Sequence, residues 1–226
     1  RKDGAVTTQW GFANIGVYNT YLNILYSFGG RVLSPDFSRV TFNTPQTRDA
    51  LTFIQRLSFE EGVAAAGNGP FQSGTAAISF YFSDTADAFF AANNLRTKAV
   101  MSPLGPGGRT LVGGSHQIAI NSRSEDIEAA WTFVKFYTGT EAQAIPLQQG
   151  YPPVRRSSLD LAPVNETMEI IARQIGSSYQ PTNTRWAVVS GALNAAVAAL
   201  IEGRQSSVQA AESVHDQLEA AWQDMN

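Results

Sequence analysis

Short segments rich in β-branched and aromatic residues alternate along this 226-residue chain with longer segments whose apolar residues recur every three or four positions. Residues 5–12 have the first pattern and predict a strand. Residues 19–28 have the second pattern and predict a helix that ends at Gly29 and Gly30. Repetition of this alternation predicts an α/β fold that is rich in helix.

Residues 111–143 join a predicted strand to a very regular helix across two glycines. The strand is expected to be buried, to break at Gly113 and Gly114, and to resume at "HQIAI". Ser122 or Ser124 is expected to cap the helix that follows, because a serine hydroxyl can accept a hydrogen bond from a first-turn amide. The apolar side of that helix is predicted to consist of Ile127, Ala130, Trp131, Val134 and Phe136.

Several other boundaries can be placed from local signals. Thr44 followed by Pro45 predicts the start of a helix. Ser83 and Asp84 predict the cap of another helix, and residues 98–101 predict a strand that leads into a loop rich in proline and glycine.

The composition excludes several classes of protein and site. A net charge of −3, with 15% charged residues, disfavours a nucleic-acid partner. The sequence contains no run of 18 apolar residues, so it predicts no membrane-spanning helix. The chain contains no cysteine, which excludes disulfides, thiolate metal sites and a cysteine nucleophile.

Motifs of catalysis and cofactor binding are also missing from the sequence. The glycines at 105–108 precede no predicted helix, so they predict a plain loop in place of a phosphate cradle. His116 and His215 have no second ligand at metal spacing, and "GGSHQ" lacks the context of a nucleophile elbow. A triad built on either histidine is conceivable but unsupported. The sequence therefore predicts no metal, no cofactor and no enzymatic activity.

Aromatic residues at predicted turns and element ends are the first candidates for ligand contact. They are Trp10, Tyr18, Tyr81, Phe82, Tyr151 and Trp186. Aromatic faces can stack on the apolar faces of sugar rings, while Asp, Asn and Arg can hydrogen-bond sugar hydroxyls. Each ring taken alone could equally pack into the core. Their recurrence beside glycine, proline and aspartate turns favours a carbohydrate site.

The order of five segments resembles the carboxy-terminal part of the extracellular solute-binding proteins of bacterial ABC importers, the family that includes maltose- and glycerol-3-phosphate-binding proteins. The segments are a helix ending in "GG" followed by "TFNTPQTRDALTFIQRL", "FQSGTAAIS", "GGSHQIAINSRSEDIEAAWTFVKFYTGTEAQ", "QGYPPVR" and "ALIEGRQSSVQAAESVHDQL". The resemblance implies a helix-rich, type II periplasmic-binding-protein-like α/β fold. Such a fold has two lobes around a hinge and traps ligand in the cleft between them.

The resemblance also implies a division of the chain among those lobes. Residues 1–110 would form the core of the second lobe, and residues 148–226 its hinge return and carboxy-terminal helices. Residues 111–147 would be a strand and helix of the first lobe. Family members carry further residues and an export signal before this point, so we expect a truncated fragment of a longer protein. The strand and helix of residues 111–147 would then need another partner, such as a second copy of the chain.

Carrying the resemblance over residue by residue yields two candidate clusters in the middle of the chain. The turn after "FQSGTAAIS" usually faces the cleft, which implies Tyr81, Ser83 and Asp84; Asp84 could instead only cap its helix. "GYPPVR" places Tyr151 and Arg155 near the cleft, although the adjacent Arg156 could equally be the exposed arginine.

Further candidates come from both ends of the chain and from the glycine pair. Gly114 could let the backbone face ligand near the hinge, or it could be a bulge needed only for packing. Ser190 occupies a position that faces ligand in family members, and Trp186, one turn earlier, could stack on a sugar. A serine at 190, where some relatives have arginine, favours a neutral saccharide over a glycerol phosphate. Trp10 and Tyr18 complete the set.

The sequence thus predicts an extracytoplasmic, carbohydrate-binding component that delivers its ligand to an ABC permease. A polyol or glycerol-phosphodiester binder of the same family is one alternative. A glycoside hydrolase is another, although it would need two facing carboxylates, and Asp84 has no evident partner. A structural domain without a small ligand is the third.

Overall fold

The computed structural model describes residues 1–4, 6–81, 90–113, 117–148, 151–158, 166–179 and 186–223. Its strands are β1 (Lys2–Asp3), β2 (Val6–Thr7), β3 (Trp10–Ala13), β4 (Ala76–Ser79), β5 (Leu111–Val112) and β6 (Ser178–Tyr179). Its α-helices are α1 (Tyr18–Ser27), α2 (Pro45–Gln55), α3 (Gly69–Gln72), α4 (Ile127–Tyr137), α5 (Ala144–Gln148), α6 (Glu166–Gln174), α7 (Trp186–Ile201) and α8 (Ser207–Gln223). A π-helical turn covers Arg56–Glu60, and 3₁₀ turns cover Arg156–Ser158 and Ile175–Ser177. The predicted helix-rich α/β class is confirmed.

The chain forms two compact units. The first comprises Arg1–Phe80, Ser102–Gly113 and Ser177–Asn226, and the second comprises Tyr81–Met101 and Gly114–Gly176. The first unit therefore contains all six strands, and the second contains α4, α5 and α6 among the described helices. The assignment of segments to the lobes of a larger fold stays a prediction.

Four helices build the core of the first unit. Helices α1, α2, α7 and α8 pack on one another, and their fully buried side chains include Tyr21, Leu22, Ile54, Leu193 and Leu218. Helix α7 carries no charged residue because it contacts α1, α2 and α8. Each fully buried leucine contributes about 2 kcal/mol through the hydrophobic effect, so this cluster holds the unit together.

Helices α1 and α7 run antiparallel. Tyr21, near the start of α1, hydrogen-bonds Asn194 in the middle of α7. A Cβ added to Gly16, just before α1, would lie 3.3 Å from Cδ1 of Ile201 at the end of α7. Earlier residues of α1 therefore lie beside later residues of α7, and the start of α7 lies toward the end of α1.

The predicted end of α1 is confirmed, and the glycine loop at 105–108 packs against it. Gly29 adopts a φ of 89°, which favours glycine, and the Gly30 amide donates to the carbonyl of Leu25 at 3.0 Å. The Gly107 amide donates to the carbonyl of Ser27 at 2.7 Å. A Cβ on Gly107 would lie 2.3 Å from the Gly29 nitrogen, so only glycine fits this approach.

One predicted helix start is confirmed and one is wrong. The Thr47 amide donates to Oγ1 of Thr44 at 3.2 Å, and Pro45 opens α2 as predicted. Helix α4 is capped by Asp126, whose Oδ1 accepts from the Ala129 amide at 2.8 Å, and not by Ser122 or Ser124. A carboxylate is a stronger acceptor than a hydroxyl and suits the positive end of a helix.

Two predicted strands are wrong as well. Residues 98–101 and 117–120 are irregular, and Val100 and Ile118 are 69% and 41% exposed. An apolar run forms a strand only when another strand pairs with it, and in the described structure neither run is paired. The short strand β5 is confirmed and pairs in parallel with β6. The helix predicted after Ser83 and Asp84 lies mainly outside the described residues.

Candidate ligand-binding site

The carboxyl ends of two parallel strands meet at one edge of the first unit. Strand β3 pairs with β4 in the register Phe12 with Ile78 and Ala13 with Ser79. Asn14 follows β3 directly, and its Nδ2 donates to the carbonyl of Phe80, just after β4, at 3.1 Å. Ligands of open α/β sheets bind outside the carboxyl ends of strands, so this edge is the natural place for a site.

Helix α1 begins at the same edge without a side-chain cap. Its N-cap residue is Val17, in extended backbone, which can offer no hydrogen-bond acceptor from its side chain. The amides of a first helical turn point outward and carry the partial positive charge of the helix. The start of α1 is therefore able to receive hydrogen-bond acceptors from a ligand.

Three buried side-chain oxygens near the start of α1 have no hydrogen-bond partner in the described structure. They belong to Asn14, Asn19 and Thr20. Asn14 is 3% exposed and Thr20 is fully buried. An unpaired buried polar atom costs about 1–3 kcal/mol, so each of these three oxygens calls for a hydrogen-bond partner such as a water molecule or a ligand group.

One residue on the exposed side of α7, Asn194, contacts α1 near its start. Ser190 and Asn194 are one turn apart on α7. The Oδ1 atom of Asn194 accepts a hydrogen bond from the Tyr21 hydroxyl at 2.7 Å. Burial, and secondarily the neighbouring Tyr18, raises the pKa of the Tyr21 hydroxyl far above its usual range, which keeps it a donor. The Ser190 hydroxyl donates to the carbonyl of Ala187 at 3.2 Å. Tyr18 is half-buried, at the first position of α1.

Two predicted aromatic residues of the first unit lie elsewhere. Trp10 opens β3 and pairs with Ala76, so it occupies the amino end of the strand, while Tyr18 follows the carboxyl end. Trp186 opens α7 and packs partly buried against the core. Because α1 and α7 are antiparallel, Trp186 and Tyr18 lie toward opposite ends of the helix pair.

The remaining predicted residues belong to the second unit or lie outside the described residues. The ring of Tyr81 packs against Phe90 with centroids 4.9 Å apart. Tyr151 is half-buried and its amide donates to the carbonyl of Pro146 at 3.0 Å, while Arg155 is exposed. Ser83, Asp84 and Gly114 are not among the described residues, and neither are Phe82 and His116.

Sequence reasoning missed most of the polar side chains near the start of α1 and on α7. Asn14, Asn19, Thr20 and Asn194 were not selected, although two signals could have found them. Asn14 ends a strand and adopts a φ of 74°, a conformation that asparagine tolerates better than most residues. Asn194 is the only side-chain amide in a largely apolar helix and follows Ser190 by one turn.

The polar side chains near the start of α1 and on the exposed side of α7 are neutral. Tyr18, Tyr21, Asn194 and the three residues with unpaired oxygens carry amides and hydroxyls but no formal charge. Among the described residues, no cluster of His, Asp and Glu could hold a metal ion. The described helices include none long and apolar enough to cross a membrane. The arrangement can exchange hydrogen bonds with a polyhydroxyl ligand.

The fold is that of a type II periplasmic solute-binding protein. A cyclic alpha-maltosyl-1,6-maltose binding protein from Arthrobacter globiformis matches 96% of this chain with a TM-score of 0.80 at 19% identity. The sugar-binding protein MalE from Xanthomonas citri matches 99% with a TM-score of 0.80 at 17% identity. UgpB from Mycobacterium tuberculosis, solved with glycerophosphocholine, matches 99% with a TM-score of 0.73 at 19% identity.

The matched part covers 61%, 60% and 60% of those three structures, so this chain spans less than two thirds of their length. No curated protein sequence matches the chain significantly. The model of a family described as bacterial extracellular solute-binding protein matches residues 4–172. The chain belongs to that bacterial extracellular solute-binding family.

Proposed function

We propose that this protein binds a neutral carbohydrate and that the start of α1, with the exposed side of α7, forms one wall of the site. The observation that carries the proposal is the cluster of unpaired buried oxygens on Asn14, Asn19 and Thr20 beside an uncapped helix start. Sugar hydroxyls both donate and accept, so they can satisfy amide oxygens and helix amides together. Tyr18 is placed at the same helix start and can stack on a ring.

The proposed ligand class agrees with what the solved neighbours bind. Solved neighbours contain maltose, maltotriose, maltotetraose and cycloalternan as bound ligands. Tyr81, Tyr151 and Arg155 remain proposed contacts from the second unit. Ser190 and Trp186 remain proposed contacts from α7, with Ser190 nearer to the polar cluster. The position of Trp10 at the amino end of β3 supports it least.

A glycerophosphodiester is the second candidate ligand, and a specific observation favours it. The first turn of α1 lacks a side-chain cap, and helix starts of this kind bind phosphate oxygens. One solved neighbour contains glycerophosphocholine. The neutral side chains of the cluster give a phosphate no positive partner, which makes the carbohydrate the stronger candidate.

The protein would act by binding and not by catalysis. Family members and solved neighbours are binding proteins, and glycoside hydrolysis needs two carboxyl groups about 5–10 Å apart across the substrate. The polar cluster contains no carboxyl group. We further propose that the protein works outside the cytoplasmic membrane and delivers its ligand to the membrane subunits of an ABC importer.

Self-association belongs to the same proposal. Helix α4 in the second unit exposes large apolar side chains, with Trp131 at 48% and Phe136 at 64% exposure. Exposed apolar clusters of this kind mark interaction surfaces in soluble proteins. A second copy of the chain is the partner that we propose for this helix.

Ligand binding can be tested by thermal shift and calorimetry with maltose, maltotriose, maltotetraose and glycerophosphocholine. A bound ligand at 100 times its Kd stabilises the folded protein by about 2.7 kcal/mol, which raises the melting temperature by several degrees. We expect one of the maltodextrins to bind and no reducing sugar to be released. A response to glycerophosphocholine alone would support the second candidate, and release of reducing sugar would contradict the binding-only account.

A further inference from the structure

The hydrogen bond between Tyr21 and Asn194 joins two different kinds of environment. The Tyr21 ring is 2% exposed within the core, whereas Asn194 lies on the exposed side of α7. The tyrosine hydroxyl donates to Oδ1 of Asn194 at 2.7 Å. A buried donor therefore fixes the orientation of an amide at the surface.

The occupied oxygen determines what Asn194 can offer to a ligand. Its Oδ1 is held by the Tyr21 proton, and Nδ2 extends from the other side of the amide group. In the described structure Nδ2 has no hydrogen-bond partner, so both of its protons remain available. Without Tyr21 the amide could turn over and present its oxygen or its nitrogen with similar ease.

We propose that Tyr21 is a positioning residue that holds Asn194 as a hydrogen-bond donor toward an acceptor oxygen of the ligand. The inference rests on the proposed function, since it assigns a role within the same site. Asn194 would then contribute to affinity through direct contact, and Tyr21 would contribute only through Asn194. The oxygen that Asn194 selects is one that accepts, such as a sugar hydroxyl or a glycosidic oxygen.

A merely structural role for the Tyr21 hydroxyl makes a different prediction. If the bond only tied α1 to α7, Asn194→Asp would bind ligand as the wild type does, because its carboxylate still accepts from the Tyr21 hydroxyl. If Asn194 donates to the ligand, Asn194→Asp should lose affinity although the bond to Tyr21 is kept, because a carboxylate has no proton to donate. Asn194→Asp, measured beside a double-mutant cycle on ligand affinity, separates these two roles.

The experiment uses the wild-type protein, Tyr21→Phe, Asn194→Ala, the double variant and Asn194→Asp, each titrated with maltotriose by calorimetry. Tyr26→Phe is the matched control, because it removes the hydroxyl of another tyrosine of α1 that is only 1% exposed. We expect Asn194→Ala to weaken binding about tenfold and Tyr21→Phe about fivefold, as for the loss of one hydrogen bond. Tyr26→Phe should bind as the wild type does, and Tyr21→Phe should change nothing in the Asn194→Ala background.

Three results would overturn the inference. Wild-type affinity in Asn194→Asp would assign the bond between Tyr21 and Asn194 a purely structural role. Wild-type affinity in Asn194→Ala, a variant at an exposed position that does not depend on core packing, would show that Asn194 makes no contact. If the wild-type protein bound none of maltose, maltotriose, maltotetraose and glycerophosphocholine, the proposed function would fail and the inference with it, whereas the first two results leave that function intact.

Discussion

Asn14 shows how a single residue links strand, helix and candidate site. Its backbone turns from β3 toward α1 with a φ of 74°, and its Nδ2 binds the carbonyl after β4. The same side chain leaves Oδ1 buried without a partner in the described structure. An aspartate could not make this bond, because a carboxylate does not donate. Asparagine therefore fits the position both conformationally and chemically.

Asp36 gives a prediction about pH at the same scale. Its carboxylate accepts from the hydroxyl of Ser34 at 2.5 Å and from the hydroxyl and amide of Ser38. These bonds, the one from Ser34 first, lower the pKa of Asp36 from 3.8 to about 2. Because the pKa is lower in the folded protein, Asp36 stabilises the fold fully above pH 3.8, and this contribution disappears as the pH falls toward 2.

The measurement is the melting temperature of the wild type and of Asp36→Ala between pH 2 and pH 6. We expect Asp36→Ala to melt lower at pH 6 and the difference to vanish near pH 2. Asp49→Ala, at another exposed aspartate, serves as the control for the loss of one negative charge. A difference that is the same at both ends of the range would show that the carboxylate bonds do not stabilise the loop.

Among the elements, α4 departs most from the sequence prediction. It starts later than predicted, after Asp126, and every large residue on its predicted apolar side is at least partly exposed. Periodicity identifies which residues share a face, whereas burial depends on what packs against that face. The neighbouring elements decide this, and the sequence of the helix contains no information about them.

Self-association through α4 can be tested by light scattering across a concentration series. We expect the wild-type mass to rise toward that of a dimer, and Trp131→Glu to remain monomeric because a charge on this face opposes its burial. Ser122→Glu adds the same charge at an exposed position before the helix and should leave the association nearly unchanged. A wild-type protein that stays monomeric throughout would contradict the proposed role of α4.

Elements that depend on a few neighbouring residues could be predicted from the sequence, whereas elements that depend on long-range contacts could not. The Thr44 cap, the Gly29 turn and the periodicity of α1 are encoded within a few residues, and the structure confirms them. The strand predicted at 98–101 failed because pairing is a long-range property. The candidate site was out of reach for a similar reason, since Tyr21 and Asn194 are 173 residues apart.

At the scale of the whole molecule, the first unit would supply one wall of the proposed binding site. The chain matches about 60% of the length of its solved neighbours and forms two compact units. The polar cluster, the uncapped helix start and the Tyr21–Asn194 bond all belong to the first unit. The central claim is that this wall, and not the amino end of β3 near Trp10, contacts a sugar.

A crystal structure of the protein with maltotriose tests that claim most directly. The account predicts sugar oxygens within 3.2 Å of the Asn14, Asn19 or Asn194 side chains or of the first amides of α1. It also predicts no sugar beside Trp10. Sugar bound only at a place remote from these groups, with the three unpaired oxygens still unsatisfied, would contradict the account.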